Sequence, residues 1–189
     1  MTRSIQRITL ALLLLFGSAA VLADDYADTI KVFQDAGQSG EFFKKSYGYA
    51  VFPTIGKGGI GIGGAHGKGR VYAQGKYVGD TSMTQVTAGF QLGGQAFSQI
   101  IFFEDKRAFD EFTSGNFEFG AQATAVAITA GASASTSTTG TSAGASGGKH
   151  DASTKGSSFY KGMATFTVAK GGLMYEATLG GQKFSYKAK

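Results

Sequence analysis

Glycine constrains this chain more than any other residue type. Six glycines lie between Gly56 and Gly64, in the run Lys57-Gly-Gly-Ile-Gly-Ile-Gly-Gly64, just after Tyr49-Ala-Val-Phe-Pro53. The isoleucines at 60 and 62 alternate with glycine, which places them on one face of a period-2 element. Glycine inside a strand marks a bulge, a sharp bend or a close approach of backbones. The run therefore reads as a curved strand of a small β-rich body and not as a catalytic loop. Glycine occurs 30 times in 189 residues, proline once and cysteine never. Without cysteine there are no disulfides, thiolate metal ligands or thiol nucleophiles.

Residues 1–23 read as a secretory leader. Arg3 and Arg7 make a basic start, Ile8 to Phe16 is apolar, and Val21-Leu-Ala23 is a small-residue cleavage pattern. The apolar core is shorter than the ~20 residues a membrane span needs, and Asp24-Asp25 follows at once. Cleavage after Ala23 leaves 166 of the 189 residues, enough for one domain with its own core. The expected location is periplasmic and peripheral to a membrane. The leader carries two cations, so the net charge falls from +5 to +3. That mild and scattered excess does not suit nucleic acid. It suits attraction to an anionic lipid surface.

The expected fold class is mainly β (α+β): a compact, curved or barrel-like antiparallel sheet, with short helices at the N-terminus and around 104–113. Residues 24–45 form the helical segment. Tyr26, Ile30 and Phe33 fall at i, i+4 and i+7, and Gly37 is a stop. Ser39 to Lys45 reads as a second helical turn. From Tyr47 the pattern turns to strands, giving a β-rich domain over 46–189. Gly75 is a tight turn between two of them. Thr84 to Leu92 alternates, with Gln85 and Val86 on opposite faces, and Phe97 to Phe103 is a more continuous apolar strand. Asp105 is a candidate N-cap for a helix whose stripe is Ala108, Phe109 and Phe112. Phe117 to Ala130 alternates again. The stretch at 131–158 is nearly all Ser, Thr, Gly and Ala and reads as a loop. Tyr160 to Ala169, Gly172 to Leu179 and Gln182 to Tyr186 read as a three-stranded meander.

Catalytic constellations are not evident. Gly59-x-Gly61-x-x-Gly64 matches the dinucleotide fingerprint in spelling, but strand-like sequence follows where the helix should start. Gly67-Lys68 lacks the other P-loop positions. The two histidines, His66 and His150, have no ligand or carboxylate at metal-binding spacing. Glu104, Asp105, Asp110 and Glu111 read as a solvated helix face. No cofactor and no metal are expected. The better candidate is a surface: Phe42, Phe43, Lys44 and Lys45, together with Lys57, Lys68 and Arg70, combine aromatics with cations. Peripheral proteins hold bilayers with that pairing. The competing reading is that the two phenylalanines plug the end of the barrel.

The chain resembles the SYLF-domain family, also described as an actin-regulator-binding domain. The residues that carry the likeness start with Tyr49 to Pro53, Lys57-Gly-Gly59, Gly61, Gly63, Gly64, Gly67, Gly69 and Val71. They continue with Gly89-Phe-Gln-Leu-Gly93, Ile100 to Phe103, Gly120 to Ala130 and Lys170-Gly-Gly-Leu-Met174. The resemblance implies a compact β-rich domain with short helices that binds membrane lipids. In eukaryotic relatives similar domains bind phosphoinositides and actin filaments; for an exported bacterial protein actin is not expected. The expected function is therefore non-enzymatic binding of phospholipid or an anionic membrane surface. The alternatives are a structural or interaction protein of the cell envelope and a small outer-membrane β-barrel.

Overall fold

A computed structural model describes residues 25–60, 62–88, 94–120, 123–128, 158–170 and 177–189. Residues 1–24, where the secretory leader is expected, Gly89 to Gly93 and nearly all of the small-residue stretch lie outside the described residues. Helix α1 covers 25–35, followed by two single turns, α2 (Gly37–Gly40) and α3 (Phe42–Lys45). Then come β1 (Gly48–Ile60), β2 (Ile62–Ala73), β3 (Lys76–Ala88), β4 (Gln95–Phe103) and helix α4 (Lys106–Phe112). The remaining strands are β5 (Phe117–Glu118), β6 (Thr124–Ile128), β7 (Met163–Lys170), β8 (Ala177–Thr178) and β9 (Lys183–Ala188). They form one sheet in the order β5-β9-β3-β2-β1-β4-β7-β6-β8. Pairing is antiparallel except between β6 and β7. The mainly-β expectation, with helices at the N-terminus and after Glu104, is what the chain adopts.

The sheet is curled into a half-barrel. Phe52 on β1 and Phe184 on β9 are separated by β2 and β3, so a flat sheet would hold them ~14 Å apart. Their ring centroids are 5.7 Å apart. Gln99 on β4 and Gln182, which leads into β9, exchange two amide hydrogen bonds of 3.0 and 3.2 Å across the same interior.

Two sequence features make the curl. On β2 the inward positions are alternate small residues, Gly63, Ala65, Gly67 and Gly69. A Cβ at Gly69 would lie 2.7 Å from the Phe52 ring, and one at Gly67 would lie 2.6 Å from Ile55. Side chains of β1 therefore lean across β2 into the concavity. The chain's one proline, Pro53, sits where the β1–β2 register slips between Val51 and Thr54. Proline is tolerated in an inner strand only at such a bulge. Its carbonyl accepts a 2.7 Å hydrogen bond from Ser98 Oγ on β4.

Hydrophobic cores form on both faces. The concave core joins Phe52, Ile55, Met83, Phe97, Ile101, Phe103 and Phe184 to α4 through Ala108 and Phe112. The Asp105 side chain caps α4, accepting from Ala108 N at 2.8 Å. On the convex face, α1 and α3 lay Phe33 and Phe42 over Val51, Ile100, Phe102 and Phe166. β4 is apolar from Ile100 to Phe103 because these residues serve both cores in alternation.

Two local expectations change. The glycine run is not one curved strand. β1 ends at Ile60, β2 starts at Ile62, and the two isoleucines are register partners across a hairpin. Gly59 (φ 149°) permits the reversal, since a Cβ there would collide with Gly63 Cα. The C-terminal meander is also replaced. β7 pairs with β4 and β6, β8 with β6, and β9 with β3 and β5. Curling brings distant strands alongside these segments, so short turns between them do not decide their pairing.

Candidate functional site

The residues expected to form one lipid-binding patch are dispersed. Phe42 is 1% exposed and cannot insert into a bilayer from this position. Its ring packs against Phe159, Phe166 and Phe102 at 4.9, 5.1 and 5.7 Å. It is a core residue because α3 is amphipathic and turns this side toward the sheet. Phe43 is half-buried between Phe102 (4.9 Å) and Tyr49 (5.1 Å). Lys44 and Lys45 are exposed, and Lys45 is held by Glu41 at 3.0 Å.

Arg70 is committed to packing. Its guanidinium lies 4.3 Å from the Tyr26 ring centroid and 5.1 Å from that of Tyr77. Its register partner is Asp80, which accepts a 2.8 Å hydrogen bond from Tyr77 Oη. The cation thus fastens α1 to the convex face by cation–π contact, an interaction of ~0.5–2 kcal/mol. Burial raises the Tyr26 hydroxyl's pKa, against the pull of Arg70. Beside it Tyr49 stacks on Tyr72 at 5.0 Å, and burial pushes its pKa up to about 12.

Lys68 is a surface cation with no ion pair among the described residues. It is exposed on the convex face opposite Thr54. Lys170, which sequence reasoning passed over as a turn residue, reaches the same place. Its Nζ donates to Thr54 Oγ1 at 2.7 Å, so Lys68 and Lys170 flank one threonine. The pairing is invisible locally, because Lys170 arrives through β4 and β7. Lys57 is half-buried at the rim, on the concave side with its partner Ala65. No carboxylate lies within ion-pair distance of Lys44, Lys57 or Lys68 among the described residues. The sequence has no Asp or Glu between Glu41 and Asp80, nor between Asp80 and Glu104.

The same end of the sheet exposes aliphatic side chains: Ile62 is 75% and Val86 79% exposed. β3 here turns polar Gln85 inward, where its Nε2 donates to Gly180 O at 2.8 Å, and apolar Val86 outward. An open cleft of about 340 Å³ lies beyond β3, lined by Ser82, Thr84, Asn116, Glu118, Lys183 and Ser185. Glu118 and Lys183 pair within it at 3.6 Å.

Among the described residues, no three His, Cys, Asp or Glu side chains converge as a metal site. No helix of the described residues is long and apolar enough to cross a membrane. Two Gly-x-Ser-x-Gly strings occur, Gly140 to Gly144 and Gly144 to Gly148. Both lie outside the described residues, in sequence without the strand-to-helix context that makes such a serine a nucleophile.

These features define a β half-barrel domain with helices docked on its convex face and a basic, carboxylate-poor sheet. The chain belongs to the Ysc84 family, described as Las17-binding protein actin regulator and equivalent to the SYLF domain, whose model matches residues 84–188. It is also similar to beta cell expansion factor A of Aeromonas veronii, with 29% identity over 170 residues covering 88% of this chain. The chain spans about half, 56%, of that relative's length.

Proposed function

We propose that this chain is an exported, non-enzymatic domain that binds an anionic membrane surface with the convex face of its sheet. The observation that carries the reading is the pairing of Lys68 and Lys170 on a sheet stretch without carboxylates. Lys44 on α3 adds attraction, whereas Lys57, at the rim on the concave side, lies off this face. Each lysine near such a surface contributes ~1 kcal/mol, and the sum falls with salt. Lys45 contributes less because Glu41 holds it, and Arg70 less because two tyrosines hold it. Export rests on the leader at 1–23 and places the domain in the periplasm. Actin, which the family's description names, is not carried over, because an exported chain leaves the compartment where actin would be met.

Flotation on phosphatidylglycerol-containing and pure phosphatidylcholine vesicles tests the reading. The protein is expected to float with the anionic vesicles only. Lys68→Glu with Lys170→Glu is expected to weaken this at least tenfold, given ~1 kcal/mol per cation. Lys44→Glu with Lys45→Glu is expected to weaken it less. Unchanged flotation of the first pair would remove those lysines from the account. No flotation at all would leave an envelope interaction domain.

A further inference from the structure

We infer that the end of the sheet where β1 turns into β2 is the edge that enters the bilayer, with Ile62 and Val86 crossing below the headgroups. This rests on the membrane reading above and gives it an orientation. Ile62 and Val86 lie on neighbouring strands and both point out from the convex face, since Gly64 is the partner of Val86 and Ala88 that of Ile62. They are diagonal neighbours and act as one small apolar tip. Large aliphatic side chains this exposed on a sheet need an occupant when they stand together.

Their surroundings say which occupant. Convex positions beside them are bare: a Cβ at Gly56 or Gly58 would meet nothing within 4 Å, and one at Gly64 only Gln85 O at 3.6 Å. Packing does not require glycine there, and among the described residues the next convex side chains along the two strands are His66 and Thr84. On the same convex face lie Lys68, six residues along β2, and Lys170 beside Thr54, with Lys57 at the rim on the concave side and no carboxylate in β1 or β2, while Glu104, Asp105, Asp110 and Glu111 gather beyond the opposite end of β4. An apolar tip on a face that carries cations matches a bilayer, whose anionic phosphates cover an apolar interior. A second copy of this chain would bring like charge against like.

The chain contains no tryptophan, so one introduced indole reports its own site. Ile62→Trp, Val86→Trp and Val32→Trp, the last at an exposed position on α1, are each made in the full chain. Each is titrated with phosphatidylglycerol–phosphatidylcholine vesicles carrying brominated acyl chains. The two tip indoles are expected to shift to the blue and to be quenched, and the α1 indole is not. Ile62→Asp with Val86→Asp is expected to reduce vesicle binding about tenfold, as loss of two inserted aliphatic groups implies, with an unchanged circular dichroism spectrum. If the protein floats but the tip indoles stay silent, the orientation is overturned and the membrane reading survives. If nothing floats, both fall. If the aspartate pair abolishes a concentration-dependent dimer and leaves vesicle binding intact, the tip is a contact between copies and the inference is overturned.

Discussion

The two ends of the β1–β2 hairpin obey different rules. At the Gly48 end, rings crowd both faces: Tyr49, Tyr72, Phe43 and Phe102 outside, Phe103 and Phe109 inside. Toward the Ile60–Ile62 end the described convex positions are glycines at 56, 58 and 64, the polar His66 and Thr84, and two exposed aliphatics. Glycine itself changes meaning between the faces. Gly67 and Gly69 are steric necessities, since Ile55 and Phe52 fill the space a Cβ would need. Gly56 and Gly58 face open space. One end is built for the fold, and the other leaves surface for something else.

The contrast can be broken most strongly at its dense end. Phe102→Ala removes the ring shared by Phe42, Phe43 and Phe166 and is expected to cost about 3–5 kcal/mol in urea unfolding. A loss under 1 kcal/mol would mean that the convex core does not hold the sheet. Gly69→Ala should cost about 1–3 kcal/mol by forcing the Phe52 ring aside. Wild-type stability there would show that the concavity yields freely.

A smaller effect concerns Tyr49. Its hydroxyl is raised from 10.0 to about 12 in the folded chain, so the native state keeps a proton that the unfolded state loses. Stability is full below pH 10 and declines as pH rises toward 12. The ring is partly solvent-exposed, so the decline is expected to be about 1 kcal/mol. Urea midpoints from pH 9 to 12 measure it, and Tyr49→Phe should flatten the slope. Smallest of all, Gly56→Ala should change stability by no more than about 0.5 kcal/mol. A loss as large as that of Gly69→Ala would erase the distinction between the faces.

Much of this was legible in the residues. The Tyr26, Ile30 and Phe33 stripe, the Asp105 cap and the Gly75 turn rest on local rules, and all three occur. The turn has positive φ at Gln74 (50°) and Gly75 (78°), as a two-residue hairpin demands. The hairpin inside the glycine run was not legible, because alternation looks the same in one strand as in two paired ones. Phe42 and Phe43 share an aromatic signature, yet one is buried and the other half-buried, a difference set by how α3 rolls on the sheet. Lys170 beside Thr54 is a product of strand order, across 116 residues of chain.

The curl also sets a timetable. β9 is the strand that brings Phe184 under Phe52, and its Tyr186 hydroxyl donates to Val78 O across 108 residues. Until β9 is made, β3 has an open edge and the concave core lacks a wall. A growing chain therefore cannot close this sheet early, since the long-range pairing must wait until β9 has been made.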